Sequence, residues 1–282
     1  MVENRPWLNF FTHLILICGV ILVVFPIYVA FVASTQTAVQ VEQAPMSLLP
    51  GSHFLENYAQ ILWEGGSNAS RAPVGRMLWV SLVMAMGISI GKILISLLSA
   101  FAIVYFKFPG RTFFFWMIFV TLMLPVEVRI SPTYEVMATL NLLDSWGGLI
   151  LPVIASATAT FLFRQFFLTV PEELTEAARM DGAGPLRFFF TILLPLSMTN
   201  IAAMFVIQFI YGWNQYLWPL LVTTSESMYP IVIGIKQMIG GGDSANDWNL
   251  IMATAILAMV PPALVVTIMQ RWFVKGLVDT EK

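Results

Sequence analysis

The sequence is short of charged residues. Of its 282 residues, 11% are Asp, Glu, Lys or Arg, while 58% are hydrophobic. Soluble globular domains carry about 25% charged residues. A folded chain with so few charges does not have enough solvated side chains to cover a surface that faces water. We therefore expect an integral membrane protein.

Other shortages exclude further classes. Cys18 is the single cysteine and lies in an apolar run, which excludes a disulfide-stabilised secreted domain. The net charge of −2, with no basic stripe, excludes nucleic acid as an expected partner. His13 and His53 lack metal-binding spacing, and neither a hydrolase motif nor a phosphate-binding loop occurs. The sequence therefore predicts no catalytic residue, no metal site, no bound cofactor and no ATP hydrolysis by this chain.

In place of charged residues and catalytic motifs, the sequence contains long apolar stretches. An α-helix needs about 20 residues to cross a bilayer. The third stretch reaches only 15 residues before the charges begin at Glu127, so its helix is either short or continues as a polar segment. We predict an all-α polytopic membrane protein with six transmembrane helices: Phe11–Ser34, Met77–Val104, Thr112–Val126, Trp146–Phe163, Thr199–Thr224 and Trp248–Gln270.

The basic residues predict the orientation, because cytoplasmic loops carry an excess of Lys and Arg. With a cytoplasmic N-terminus, nine basic residues fall inside and four fall outside, so both termini are expected in the cytoplasm. The inside set is Arg5, Lys107, Arg111, Arg164, Arg179, Arg187, Arg271, Lys275 and Lys282, and the outside set is Arg71, Arg76, Arg129 and Lys236. The predicted divisions are an anchor helix with a long external segment (1–76), a transmembrane domain (77–273) and a short cytoplasmic tail (274–282).

The predicted cytoplasmic loop 169–195 has the signals of a short helix. Thr169 and Glu172 have capping-box spacing, and Gly182 is suited to a left-handed stop. A helix of about three turns is too short to be stable alone in water, so it needs a packing partner. Pro185 then begins a second helix that extends to Pro195. The first helix carries a narrow stripe of small or apolar residues: Leu174, Ala177 and Ala178.

The same loop carries the pattern Glu176-Ala-Ala-x3-Gly182-x9-Ile192-x-Leu194-Pro195. This pattern resembles the signature of permease subunits of binding-protein-dependent ABC importers. The resemblance implies that the loop docks on an ATP-binding subunit, with Glu176 paired to a basic residue there and Gly182 allowing the bend. The implied coupling residues are Glu176, Ala177, Ala178, Asp181 and Gly182. The alternative is a surface helix that only connects two spans.

Further motifs narrow the resemblance. Glu56-Asn-Tyr58, Trp213-Asn-Gln-Tyr-Leu-Trp-Pro219 and Gly276-Leu277 resemble the carbohydrate-uptake branch, and Leu122–Ile130 and Ala155–Phe167 resemble the smaller permeases of sn-glycerol-3-phosphate importers. The resemblance implies a type I ABC importer permease fold and import of sn-glycerol-3-phosphate by alternating access. Alternatives are glycerophosphodiesters, another sugar or polyol in the same importer class and, more remotely, an ion-coupled secondary transporter.

The resemblance also implies partners and location. The expected partners are a second homologous permease, two ATP-binding subunits that hold ATP and Mg²⁺, a soluble periplasmic or extracellular substrate-binding protein, and membrane lipid. The expected location is the inner membrane of a bacterial cell.

Polar residues within the spans are candidates for the substrate pathway. Ser81, Ala85, Ser89, Lys92, Ser96 and Ser99 recur at intervals of three or four, which places them on one helical face. A charge at mid-membrane usually faces a cavity or a partner. Lys92 therefore either lines a pathway suited to a phosphate-bearing solute or bonds to carbonyls or a carboxylate of a neighbouring helix, beside close packing at Gly87-x-x-x-Gly91.

Three other polar residues have the same two interpretations. Arg129 either receives an anion from outside or pairs with a neighbouring charge such as Glu127. Gln208 and Gln215 either line the pathway or hold the bundle together. Pro261-Pro262 predicts a kink in the last span.

Overall fold

The computed structural model describes residues 6–65, 72–121, 126–239 and 246–278, and every regular element in these ranges is helical. Two 3₁₀ turns, Leu151–Val153 and Glu226–Met228, and a π-helical turn, Phe189–Leu193, accompany the α-helices. The all-α prediction is confirmed. The α-helices are α1 (Pro6–Ser34), α2 (Ala38–Glu42), α3 (Phe54–Trp63), α4 (Val74–Tyr105), α5 (Arg111–Val120), α6 (Val126–Thr139), α7 (Trp146–Ile150), α8 (Ala157–Thr169), α9 (Glu172–Met180), α10 (Pro185–Phe188), α11 (Leu194–Leu196), α12 (Met198–Trp213), α13 (Leu217–Val222), α14 (Ile231–Met238) and α15 (Trp248–Val278).

Three of these helices are long and apolar enough to cross a bilayer unbroken: Trp7–Ser34, Val74–Tyr105 and Trp248–Gln270. Two bent pairs could each supply one more span. They are Trp146–Val153 with Ala157–Thr169, bent by 49°, and Pro185–Leu196 with Met198–Trp213, bent by 72°. The described residues therefore provide three to five spans, and the predicted count of six is not confirmed.

The predicted third span accounts for the difference. Its helix α5 has 10 residues, which is about 15 Å and half the thickness of the hydrocarbon core. The polar helix α6 then runs for 14 residues from Val126. Residues 122–125 lie outside the described ranges. The alternative of a short apolar helix followed by a polar segment thus agrees with α5 and α6.

The predicted fourth and fifth spans are not single helices. The fourth is interrupted after Val153, and the Ser156 hydroxyl caps the restart by accepting a 3.3 Å hydrogen bond from the Ala159 amide. Within the predicted fifth span, α12 ends at Trp213 and a second helix, α13, begins at Leu217. Pro219 lies in the first turn of α13, where the missing N–H of a proline is tolerated. By contrast, α15 continues through its two adjacent prolines as one helix.

The chain divides into two compact units, one of Met1–Met77 with Gly234–Val260 and the other of Leu78–Ile233 with Pro261–Lys282. In the first unit, the buried Asn57 organises the segment after α1. Its side-chain nitrogen donates to the carbonyls of Ser34 and Gln36 at 2.9 and 2.8 Å, and its oxygen accepts a 3.2 Å hydrogen bond from Asn249. These bonds replace water around buried polar groups and fix the path between α1 and α3.

In the second unit, α4 contributes to two buried clusters and is therefore its central helix. One cluster joins α4 to α8, α9, α10 and α12, and the other joins α4 to α6, α7 and α13. The first includes Phe101, Phe163, Phe167, Ala178, Phe188, Phe189 and Met204, and the second includes Val80, Met84, Ile88, Leu149 and Trp218.

Two glycines allow α4 to approach the segment 150–154. A Cβ atom on Gly87 would lie 2.7 Å from Ile150 Cδ1, and one on Gly91 would lie 2.6 Å from Ile154 Cγ2. Both distances are shorter than real carbon contacts. The predicted close packing at Gly87-x-x-x-Gly91 is confirmed.

The loop between α6 and α7 is tied to the chain after α13. Asp144, at φ 51°, accepts hydrogen bonds from the Thr224 amide at 2.7 Å, the Ser225 amide at 2.9 Å and the Thr224 hydroxyl. The bonds from the Thr224 hydroxyl and the Ser225 amide hold the pKa of Asp144 below its usual range. This carboxylate is therefore ionised at neutral pH and holds the α6–α7 loop against the chain that follows α13.

Candidate functional site

The short helix α9 begins differently from the prediction. Pro171 is its N-cap residue, and the Pro171 carbonyl accepts a 3.2 Å hydrogen bond from the Leu174 amide. Thr169 is the last residue of α8, and its hydroxyl donates to the Phe166 carbonyl at 2.7 Å. The predicted capping box is therefore wrong, because this hydroxyl serves the helix that ends rather than the helix that begins.

The end of α9 forms as predicted. Gly182 has a φ of 69°, a left-handed conformation that side chains rarely adopt. The Gly182 amide donates to the Arg179 carbonyl at 3.0 Å, and the Ala183 amide donates to the Ala178 carbonyl at 2.8 Å. These two bonds are the pair that defines a Schellman motif. The glycine thus ends the helix and turns the chain toward Pro185.

One side chain anchors α9 to the rest of the unit. Ala178 is 4% exposed and belongs to the aromatic cluster with Phe101, Phe167 and Phe188. The other predicted coupling residues, Glu176, Ala177, Asp181 and Gly182, are exposed. Leu174, the first residue of the predicted stripe, is also exposed. Leu174 lies one turn before Ala178 on the same helical face, beyond the edge of the cluster.

The predicted second helix, Leu186–Pro195, contains a change of helical type. It begins at Pro185 as predicted, passes through the π-helical turn Phe189–Leu193, and ends in α11 before the 72° bend to α12. Single π-helical turns are frequent at functional sites. This segment connects the exposed α9 to the bundle.

The polar stripe on α4 is confirmed as a buried face from Ser81 to Ser96, whereas Ser99 is half-buried. Ser81, Ala85, Ser89 and Ser96 are 0% exposed and Lys92 is 5% exposed. Two of the serine hydroxyls bond to other elements of the second unit: Ser81 accepts from the Ile231 amide at 2.8 Å, and Ser96 donates to the Ser156 carbonyl at 3.3 Å. The periodicity of the sequence thus identified which face of α4 points inward.

Lys92 has an aromatic partner that the sequence did not suggest. Its Nζ lies 3.7 Å from the centroid of the Tyr211 ring. Within the described residues, no carboxylate lies within ion-pair distance of Nζ and no carbonyl accepts a hydrogen bond from it. The alternative in which Lys92 bonds to carbonyls or a carboxylate of a neighbouring helix is therefore not observed among these residues, and the ammonium instead makes a cation–π contact with Tyr211 of α12.

Lys92 and Arg129, which lie 37 positions apart, line one small cavity in the second unit. The cavity volume is about 60 Å³. Gln215 is among its lining residues, whereas Gln208 is buried elsewhere on α12. Sequence reasoning missed two further polar or aromatic lining residues, Thr133 and Tyr211.

The polar lining residues differ in what they offer. The Thr133 hydroxyl donates to the Arg129 carbonyl at 2.6 Å, and the Gln215 amide donates to the Tyr211 carbonyl at 3.3 Å. Neither bond involves the Lys92 ammonium or the Arg129 guanidinium, and both residues line the cavity. The predicted pairing of Arg129 with Glu127 falls on a side chain outside the described residues. The cavity is suited to an anion, because two cationic donors face a space that water alone would otherwise fill.

Comparison with known proteins identifies the family of this chain. Residues 92–279 match the family described as binding-protein-dependent transport system inner membrane component. The chain is 61% identical to the sn-glycerol-3-phosphate transport system permease protein UgpE of Brucella melitensis biotype 1 over 282 residues, 100% of each chain. It is 60% identical, again over the full length of both, to the proteins of the same name from Pectobacterium atrosepticum and Escherichia coli O6:K15:H31.

A solved structure shares the fold. It is described as the crystal structure of a bacterial ABC transporter involved in the import of the acidic polysaccharide alginate, and it matches with a TM-score of 0.77 at 21% identity, covering 97% of this chain and 99% of that chain. The fold is therefore that of an ABC importer permease. The family match covers two thirds of the sequence, and the UgpE relatives cover all of it. This chain belongs to the family of binding-protein-dependent transport system inner membrane components.

Proposed function

We propose that this chain is a permease subunit of an ATP-driven importer that carries sn-glycerol-3-phosphate into the cytoplasm. The observation that carries the proposal is α9, a short helix that is exposed except at Thr175 and Ala178 and closed by a Schellman turn at Gly182. A helix this short requires a second surface for stability. An ATP-binding subunit supplies that surface. Full-length identity of about 60% to permeases named for sn-glycerol-3-phosphate supports the substrate.

Coupling follows from the way α9 is attached. ATP binding and hydrolysis take place on partner subunits, which hold ATP and Mg²⁺, and this chain binds no cofactor of its own. Movement of the docked α9 passes through the chain after Gly182 and through the π-helical turn to α12 and the bundle. One homologous permease completes the pathway, two ATP-binding subunits drive it, and a soluble binding protein delivers the solute. Alternation between outward and inward states is a population shift set by which state each ligand binds better.

The orientation follows from the position of α9. Basic residues cluster beside it: Lys107 and Arg179 line the same cavity of about 490 Å³ between the end of α4 and α9. The ring centroids of Tyr105 and Phe188 lie 5.3 Å apart within that junction. Since cytoplasmic surfaces are enriched in Lys and Arg, this end of the second unit faces the cytoplasm in the inner membrane. Both termini lie on that side in the proposed topology.

The test is uptake by the reconstituted transporter. Proteoliposomes containing this chain, its homologous permease and the ATP-binding subunits are loaded with ATP and supplied outside with the binding protein and radiolabelled sn-glycerol-3-phosphate. We expect accumulation that requires internal ATP and is not reduced by an excess of unlabelled sugars. Accumulation driven by an ion gradient without ATP would instead identify a secondary transporter, and transport of another polyol alone would refute the substrate.

Two pairs of variants test the coupling role of α9. Glu176→Lys should abolish uptake and co-purification of the ATP-binding subunit, whereas the charge reversal Glu226→Lys, on an exposed 3₁₀ turn, should do neither. Gly182→Val forces a β-branched residue into a left-handed conformation at a cost of about 1–2 kcal/mol and should also abolish uptake. Gly184→Val is the matched control, because Gly184 has an extended backbone and no atom within 4 Å of an added Cβ. Normal uptake with Glu176→Lys and Gly182→Val would contradict docking at α9.

A further inference from the structure

We propose that this chain itself binds the phosphate group of the transported solute, between Lys92 and Arg129 in the cavity of the second unit. The inference rests on the proposed function and deepens it by assigning recognition of a phosphomonoester to this permease. The glycerol portion of the solute extends out of the cavity, because a space of about 60 Å³ holds a few waters or one phosphate-sized group and not a complete organic solute.

The first argument is the energetic cost of Lys92. The side chain is 5% exposed, yet within the described residues its ammonium makes a cation–π contact with the Tyr211 ring and no ion pair with a carboxylate. Buried charges are normally paired, because transfer out of water is costly. An anionic solute that binds transiently beside Lys92 therefore explains why a cation is kept in this position.

The second argument is the presence of Arg129 on the same cavity. Two like charges facing one small space destabilise each other. An anion with two charges removes that repulsion and gains from both cations. A phosphomonoester carries about −1.5 to −2 charges at pH 7, and a guanidinium binds two phosphate oxygens at once. A neutral sugar offers neither advantage.

The third argument is the aromatic partner. Tyr211 holds the ammonium of Lys92 through its ring, which attracts a cation less strongly than a phosphate does. The contact stabilises Lys92 while the cavity is empty and is replaced when the solute enters. The hydrogen bonds of Gln215 and Thr133 to backbone carbonyls hold the wall in place and leave both cations free for the phosphate.

The experiment measures how many solute molecules are imported per ATP hydrolysed by the complete transporter in proteoliposomes, with binding protein loaded with radiolabelled sn-glycerol-3-phosphate. We expect Lys92→Met and Arg129→Gln each to lower this ratio about 10- to 100-fold, the effect of losing one hydrogen bond to a charged group. The rate of ATP hydrolysis should stay within about twofold of the unmodified transporter, because neither residue lies near α9. Lys92→Arg keeps the charge and should restore most of the ratio.

Two matched variants remove the same charges elsewhere: Lys236→Met in α14 and Arg111→Gln at the start of α5, both at exposed residues. They should leave the ratio unchanged. If Lys92→Met and Arg129→Gln import as efficiently as these controls, the phosphate site is refuted while the importer function stands. A parallel loss of complex assembly, ATP hydrolysis and uptake would show that Lys92 serves packing, and this would also overturn the inference. Failure of the unmodified transporter to import the solute would refute the proposed function itself.

Discussion

Substitution of Gly91 by alanine tests whether the close approach of α4 to the segment 150–154 fixes the cavity. The added Cβ would lie 2.6 Å from Ile154 Cγ2 and 3.1 Å from Ile154 Cβ, whereas ordinary contacts begin at 3.4 Å. The two elements must separate by nearly 1 Å or Ile154 must leave its rotamer. Overpacking of this kind costs about 1–3 kcal/mol. The better helix propensity of alanine returns about 0.5–1 kcal/mol. We expect a net loss of about 1–2 kcal/mol.

The displacement should also impair transport, because Lys92 follows Gly91 directly and Val153 and Ala155 line the cavity beside Ile154. A shift of 1 Å in a binding geometry can cost about 100-fold in rate. The assays are the thermal midpoint of the purified transporter, expected to fall by about 3–6 °C, and uptake in proteoliposomes, expected to fall at least about tenfold.

Two further variants make the Gly91 prediction refutable. Gly19→Ala adds the same atom to α1 where no atom lies within 4 Å, so stability should be unchanged or slightly raised. Ile154→Ala removes the atom that Gly91→Ala would meet, so the double variant should lose less stability than the sum of the two single variants. Additive losses, or an unchanged midpoint with Gly91→Ala, would show that the approach of α4 to Ile154 is not tight.

Two other predictions concern electrostatic contacts. Tyr211→Leu should destabilise the transporter more than Tyr211→Phe, and in a double-mutant cycle with Lys92→Met we expect a coupling energy of about 1–2 kcal/mol in thermal unfolding; equal effects of Tyr211→Leu with and without Lys92 would exclude the cation–π contact. Asp144→Asn should speed hydrogen exchange at the Thr224 and Ser225 amides at neutral pH. Because the pKa of Asp144 is lowered by folding, its contribution is present above the unfolded pKa and is lost as the pH falls through the lowered folded value, so the two proteins should converge only when the pH is below the pKa of Asp144 in the folded protein. A difference that persists at lower pH would contradict the role of the charge.

The sequence predicted features that depend on local geometry. Helical periodicity placed Lys92 on the buried face of α4, and the need for a left-handed residue located the end of α9 at Gly182. Both follow from backbone rules that act over a few residues. The family signature also located α9. The spacing between Glu176 and Gly182 in that signature is set by one short helix and the turn that ends it.

Features that depend on distant contacts were missed. Periodicity shows which side of a helix is buried but not what lies opposite, so Tyr211 could not be identified as the partner of Lys92. Gln208 and Gln215 are seven residues apart, which is the spacing of one helical face. However, α12 ends at Trp213, so Gln215 no longer follows the register of the helix. Thr169 had two ways to use its hydroxyl, and only the structure of α8 shows which one was taken.

The interruptions at Ile154–Ser156 and Asn214–Tyr216 have a consequence for backbone hydrogen bonding. Where a helix stops, backbone N–H and C=O groups lose their intrahelical partners, and hydrocarbon offers no replacement. Inside a membrane such groups are tolerated only where they meet protein or a hydrated space. Ala155 and Gln215 both line the cavity, the Ser156 carbonyl accepts from Ser96 and Thr160, and the Asn214 and Gln215 amides donate to carbonyls of α12. Both breaks therefore lie beside the cavity with backbone groups bonded to protein, as an interruption inside a bilayer requires.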